Sequence, residues 1–241
     1  MNLDSPNPDG VLVRKYRIRV ALFLVAVVVV VALLSLAYKG INTIYVLNAI
    51  EAERDQSQKP SEVISRLSLK NGDVVADVGS GAGYFSLKLS PVVGRSGTVL
   101  AVDVRKMPLV FLWIRALLAG LHNIRVSVGE SDNPHLPAGT VDVVLIANTY
   151  HEFAAPESML DHTLKSLRPG GRLVVIDRSS SGRSEVEHQH QISPAAVEAQ
   201  LRQKGLKILE REDQFIRRPE EQWWLLIAQR GVAQVDSSRL P

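Results

Sequence analysis

Residues 74–89 read Val-Val-Ala-Asp-Val-Gly-Ser-Gly-Ala-Gly-Tyr-Phe-Ser-Leu-Lys-Leu. Val74, Val75 and Ala76 are an apolar run of strand length, and from Tyr84 onward the apolar positions return at helical spacing. Between them, Gly79, Gly81 and Gly83 make a glycine-rich strand-to-helix turn. Without Cβ atoms such a turn takes positive φ and lets a ligand approach the backbone, while free amides at the helix start favour negative charge. The stretch therefore predicts a nucleotide-type site on an α/β fold.

The kind of nucleotide follows from the neighbours. The dinucleotide fingerprint G-x-G-x-x-G needs a third glycine at position 84, which holds Tyr84, so a nicotinamide-dependent oxidoreductase is disfavoured. Asp77, two residues before Gly79, places a carboxylate at the strand end where a ligand ammonium can be received. That favours an amino-acid-bearing nucleoside over a bare dinucleotide, with a tight ligand-free turn as the competing explanation. A second apolar run, Val99-Leu100-Ala101-Val102, ends in Asp103, twenty residues beyond Gly83. In Rossmann-like units an acid at this point meets ribose hydroxyls, and the joint spacing is hard to obtain by accident.

Over roughly residues 60–229 the chain resembles the class I S-adenosylmethionine-dependent methyltransferases. The resemblance is carried by D-x-G-x-G-x-G at residues 77–83, by Asp103, by Leu136-Pro137 with Val141-Asp142-Val143-Val144-Leu145, and by Leu167-Arg168-Pro169-Gly170-Gly171-Arg172-Leu173-Val174-Val175. It is similar more narrowly to a bacterial branch with Lys59-Pro60 before the first helix and Tyr150-His151-Glu152-Phe153 after the fourth strand. The resemblance implies S-adenosyl-L-methionine as cofactor, with Asp77 and the glycines at its methionine part and Asp103 at its ribose. It also implies adenine at the Glu130-Ser131-Asp132 turn, where Glu130 and Asp132 are rival contacts because Asn133-Pro134 reads as an insertion. Asn148 would line the methionine and substrate side.

Residues 20–38 are nearly unbroken in apolarity and include five consecutive valines, Val27 to Val31. At about 1.5 Å rise per residue they are just long enough for a bilayer core of about 30 Å. Arg14, Lys15, Arg17 and Arg19 precede the run, and Ser35-Leu36-Ala37 has the small-x-small form of a cleavage site. The run exceeds a signal h-region of about 7 to 15 residues and continues in Ile41, Ile44, Tyr45, Leu47 and Ile50, which favours an uncleaved single-pass anchor. The basic flank outweighs Lys39, so the positive-inside rule sends the domain to the far side. The family's cytosolic methyl donor argues for the opposite orientation.

The expected organisation is thus a basic segment at 1–19, a transmembrane helix at 20–38, a connector at 39–59 that is polar from Arg54 to Lys59, and a methyltransferase domain at 60–241. Of the 241 residues, the last part fits one domain of about 100 to 200. The net charge of +3, with its basic cluster beside the apolar run, gives no nucleic-acid patch. The absence of cysteine excludes disulfides, thiolate zinc sites and thiol nucleophiles. Strands are expected near Val74, Val99, Ile124, Val141 and Leu173, with helices between them and a final antiparallel hairpin near 207–212 and 223–229. The predicted fold is Rossmann-like: a doubly wound, mostly parallel seven-stranded sheet behind one transmembrane helix. Residues 178–187 read as a polar loop or lid, and Ser193-Pro194 starts a helix that Gly205 stops.

For chemistry, His151 is the candidate general base, since it follows the fourth strand where open α/β sheets bind ligands. Glu152 is expected to orient the ring or cap a helix over 153–160. His188 and His190 are two apart in a polar stretch without a carboxylate cluster, so no metal is expected. The helix at 108–121 is apolar nearly all round except at Arg115, which predicts contact with the connector, the membrane surface or a second subunit. These features favour a methyltransferase acting on a small, lipid-soluble acceptor. The alternative is a membrane-tethered nucleoside-binding or scaffold protein without transfer activity.

Overall fold

The computed structural model describes residues 8–179, 193–217 and 222–231. The chain divides into two compact units, Met1–Ile50 and Glu51–Pro241. Within the first, helix α1 begins at Pro8, and it continues without a break to Gln58. Its apolar side chains from Val20 to Leu36 are exposed, and its most apolar window has a mean hydropathy of 3.2. By length and composition α1 can cross a membrane.

The expected polar connector is helical instead, and the second unit starts at Glu51, earlier than residue 60. The physical reason is visible in the helix stop: Lys59 takes φ 47° and ψ 53°, and it precedes Pro60, whose ring disfavours the right-handed helical conformation before it. Helix α2 then runs Pro60–Leu67 with proline in the first turn.

Seven strands form one sheet in the order β3-β2-β1-β4-β5-β7-β6. They are β1 (Val74–Val78), β2 (Thr98–Asp103), β3 (Ile124–Val128), β4 (Val141–Ala147), β5 (Leu167–Ser179), β6 (Lys207–Arg217) and β7 (Gln222–Gln229). The first five pair in parallel, while β7 runs antiparallel to both β5 and β6, which makes the terminal hairpin. The Rossmann-like expectation is borne out.

The central strands read as continuous apolar runs because helices cover both faces. Successive residues alternate between them: Val75, Val143, Leu145 and Val174 face one core with Leu67 of α2 and Leu89 of α3 (Ser86–Val93). Ala76, Val144, Ile146 and Val175 face the other with Leu160 of α5 (Pro156–Ser166) and Val197 of α6 (Pro194–Gln203). Ser193 caps α6 as its sequence position suggests, its side chain accepting from the Ala196 amide. Helix α4 (Lys106–Leu118) packs Leu109 and Leu112 on Ala101.

Chain order reverses between β1 and β4, so the crevice beyond their C-terminal ends is the switch point at which such sheets bind ligands. Residues 180–192, with the expected polar lid and with His188 and His190, lie outside the described residues. Arg178 and Ser179 belong to β5 rather than to a loop.

Candidate active site

The turn after β1 uses its three glycines for different ends. Gly79 has φ 80°, and a Cβ there would come within 2.2 Å of the Thr149 side chain beyond β4. Gly83 has φ 93° and would meet Leu112 Cδ1 at 2.2 Å. These two glycines therefore serve close packing of the turn against β4 and α4. Gly81 differs: at φ 54° its Cβ would meet nothing nearer than the Arg105 guanidinium at 4.0 Å. Gly81 is thus the position where the backbone faces open space and a ligand can approach.

Asp103, at the end of β2, is buried and turned toward that space. Its carboxylate accepts from the Gly81 amide at 2.9 Å and from the Arg105 amide at 2.8 Å, and the Arg105 side chain adds an ion pair at 3.2 Å. Arg105 itself is mostly exposed, so its guanidinium can give way to another donor while the two amides hold the carboxylate.

Asp77 lies near the end of β1, under the glycine turn that follows it. It is only 2% exposed, and Ser86 Oγ at the start of α3 donates to it at 2.6 Å. Burial pushes its carboxyl up to about 6, opposed by the Ser86 hydrogen bonds and by the nearby positive charge of Arg54.

Asn148 follows β4 in the left-handed conformation, φ 54°, with its amide donating to Ile176 O at 2.7 Å. Its Oδ1 is buried and has no partner among the described residues. A residue in this conformation with an unsatisfied buried oxygen at the switch point leaves an acceptor available to a ligand. Glu130 and Asp132 stay rivals in space as well: Glu130 is exposed and within 3.4 Å of His135, whereas the Asp132 carbonyl accepts from His162 Nδ1 at 3.1 Å.

His151 sits in a 3-10 turn, Tyr150–Glu152, and its side chain is 15% exposed. Its Nδ1 lies 2.7 Å from Asp177 Oδ1, and its own amide donates to Asp177 Oδ2 at 3.1 Å. On the other side Nε2 lies 3.2 Å from Arg178 Nη2, which can only donate. Nε2 is therefore the acceptor, Nδ1 carries the proton, and Asp177 holds the ring in that tautomer. Glu152 does not take the orienting role expected of it, being 3.8 Å from Nε2, and the following helix starts at Pro156 rather than at 153. Asp177 escaped the sequence reading, although Val174-Val175-Ile176-Asp177 repeats the apolar-run-then-acid pattern that singled out Asp103.

The open Gly81 face, the Asp103 carboxylate and the unsatisfied Asn148 oxygen together fit a polar, partly cationic nucleoside. Among the described residues no group of three metal-ligating side chains exists. Comparison with known proteins points the same way: a family described as a methyltransferase domain matches residues 69–222. The ubiquinone/menaquinone biosynthesis C-methyltransferase UbiE of Azotobacter vinelandii is 32% identical over 112 residues, 46% of this chain and 44% of that protein. Protein-L-isoaspartate O-methyltransferase 2 of Archaeoglobus fulgidus is 28% identical over 111 residues, 45% of this chain and 47% of that one. The crystal structure of a SAM dependent methyltransferase from Aquifex aeolicus superposes with TM-score 0.62 at 28% identity, covering 70% of this chain and 88% of that one. The chain spans about half the length of the curated relatives it matches. It belongs to the methyltransferase-domain family, S-adenosylmethionine-dependent transferases whose cofactor is S-adenosyl-L-methionine.

Proposed function

We propose that this chain transfers the methyl group of S-adenosylmethionine to a small, lipid-soluble acceptor bearing an acidic hydroxyl or C–H, with His151 as general base. The observation that carries this reading is the His151–Asp177 pair, built beside the switch point with Nε2 facing Arg178 Nη2. The cofactor supplies an electrophilic methyl on its sulfonium. Asp103 and the Gly81 backbone hold its ribose side, Asn148 Oδ1 meets its methionine or the acceptor, and either Glu130 or Asp132 borders the adenine. His151 takes the acceptor's proton at Nε2 as the acceptor displaces Arg178, whose guanidinium then stands by as counter-charge for the developing anion. Positioning and exclusion of water contribute the rest, as in-line transfer requires.

The test is calorimetric binding of S-adenosylhomocysteine to the full chain in detergent, followed by transfer of labelled methyl to a panel of phenols and quinols. Binding without transfer to any acceptor would favour the scaffold alternative. Within the binding assay, Asp103→Ala is expected to raise the dissociation constant by about 10- to 100-fold, equivalent to about 1 to 3 kcal/mol for hydrogen bonds to a charged group. Asp103→Asn keeps one acceptor for the Gly81 amide and should fall between. An unchanged constant in both would remove Asp103 from the site.

The same reading includes attachment to a membrane through α1. The outer face of α4 supports it: Met107, Val110, Trp113, Leu117 and Leu118 are exposed on one apolar stripe, preceded by exposed Arg105 and Lys106. Such a face suits an anionic lipid surface, to which a chain with its own spanning helix is confined. Trp113 is 58% exposed while Trp223 and Trp224 are buried, so quenching by brominated lipids in nanodiscs reports on Trp113 alone. Strong quenching that Trp113→Phe abolishes is the expected result. No quenching together with a dimer in solution would assign the face to a second copy.

A further inference from the structure

Residues 51–58, the last turns of α1, engage the cofactor turn and the two helices beside it at three points. Glu51 receives both arms of Arg115, Oε1 from Nη1 at 2.8 Å and Oε2 from Nη2 at 2.5 Å. The same Nη1 donates to the carbonyl of Ala82, inside the glycine turn, at 2.6 Å. Arg54 lies over the ring of Tyr84 at 3.9 Å from its centroid, and the ring's other cation, Lys88, is paired with Asp55 at 3.1 Å. We propose that this segment is a strap belonging to the cofactor site, and that Arg115 is a positioning residue through which it sets the conformation of the Gly81-Ala82-Gly83 backbone.

The physical argument starts from what a buried guanidinium costs. Arg115 is 7% exposed on a helix that is apolar apart from Lys106 at its start, where a hydrophobic side chain of similar size would pack as well without desolvation. A charge kept there needs partners, and these include a carboxylate from the strap and a carbonyl from the turn. Bidentate pairing with Glu51 fixes the guanidinium plane, and the fixed plane aims Nη1 at Ala82. Holding that carbonyl fixes the Ala82–Gly83 peptide. One turn of α4 earlier, Leu112 fills the space that the missing Cβ of Gly83 leaves, so α4 grips the turn twice. Neither grip touches the ligand. Both determine whether the Gly81 face and the Asp103 carboxylate meet at the spacing seen here.

The inference rests on the glycine turn being where the cofactor binds. The experiment uses the full chain in detergent, with S-adenosylhomocysteine as probe and amide hydrogen exchange as second readout. The double variant Glu51→Met/Arg115→Met replaces the pair with apolar groups, which are expected to preserve folding. Its melting temperature should stay near the parent's, its dissociation constant should rise by about 10- to 100-fold, and exchange should speed up at Gly81, Ala82 and Gly83 but not in β1 and β4. Arg115→Lys, with a single point donor for two acceptors, should lose part of the affinity. If the double variant does not fold, Arg115→Lys and Glu51→Gln carry the same comparison. Parental affinity in variants that remain folded would overturn the strap. A parent protein that fails to bind the probe would instead overturn the site reading on which it rests.

Discussion

His151→Ala is expected to lower the rate of methyl transfer by about 10²- to 10⁴-fold, the range for loss of a positioned general base. Its affinity for S-adenosylhomocysteine should hardly change, because the ring bonds to Asp177 and Arg178 and to no residue of the glycine turn. Asp177→Asn is the more searching variant. The Asp177 carboxylate accepts from His151 Nδ1, from the His151 amide and from the Arg178 amide, so an amide group in its place turns one N–H toward another. Either the ring loses its orienting acceptor or the turn loses a backbone bond. The expected rate loss is about 10- to 100-fold, again with cofactor binding retained. Single-turnover transfer of labelled methyl, measured beside calorimetric binding, separates the two quantities. Equal rates in parent and His151→Ala would mean that transfer runs on proximity alone.

That the pair needed the structure to be seen has a simple cause. His151 and Asp177 are 26 positions apart, and only the parallel pairing of β4 with β5 brings their strand ends side by side. Features that live within one element were legible: the glycine turn, the acid ending β2, the proline start of α2, the Ser193 cap and all seven strands. Features that depend on partners from elsewhere were not. The apolarity of the helix around Arg115 predicts contact with the connector, the membrane surface or a second subunit, but not that Arg115 itself makes the contact, through Glu51 and Ala82. The stretch after the apolar run reads as a connector from its polarity, yet its charges are those that α3 and α4 need. The glycines are alike in sequence and unlike in space, since their neighbours Thr149 and Leu112 come from other elements.

Asp77 gives the last expected result, and it has two sides. Its carboxyl is raised from 3.8 to about 6, chiefly by burial, so below about pH 6 the folded protein keeps it protonated where an exposed aspartate is already ionised. A raised carboxyl contributes stability that is fully present below its unfolded value and is lost as pH rises through the folded one. At about 1.4 kcal/mol per unit, the parent should lose about 2 kcal/mol between pH 4 and pH 7.5 on account of this group, a smaller part of the loss falling below pH 4. Asp77→Asn keeps an oxygen for Ser86 and removes the titration, so the difference in unfolding free energy between parent and variant should shift in the variant's favour by that amount across the window. Cofactor affinity should move the other way. An ionised Asp77 favours a ligand ammonium at the methionine end, so the parent's affinity should rise with pH up to about 6 and then level off, while that of Asp77→Asn stays flat and lower. Denaturant titrations and calorimetry at the two pH values measure both. If the variant's affinity matched the parent's at pH 7.5, the charge would serve no ligand, and the cost of burying it would have to be explained by the hold on Ser86 alone.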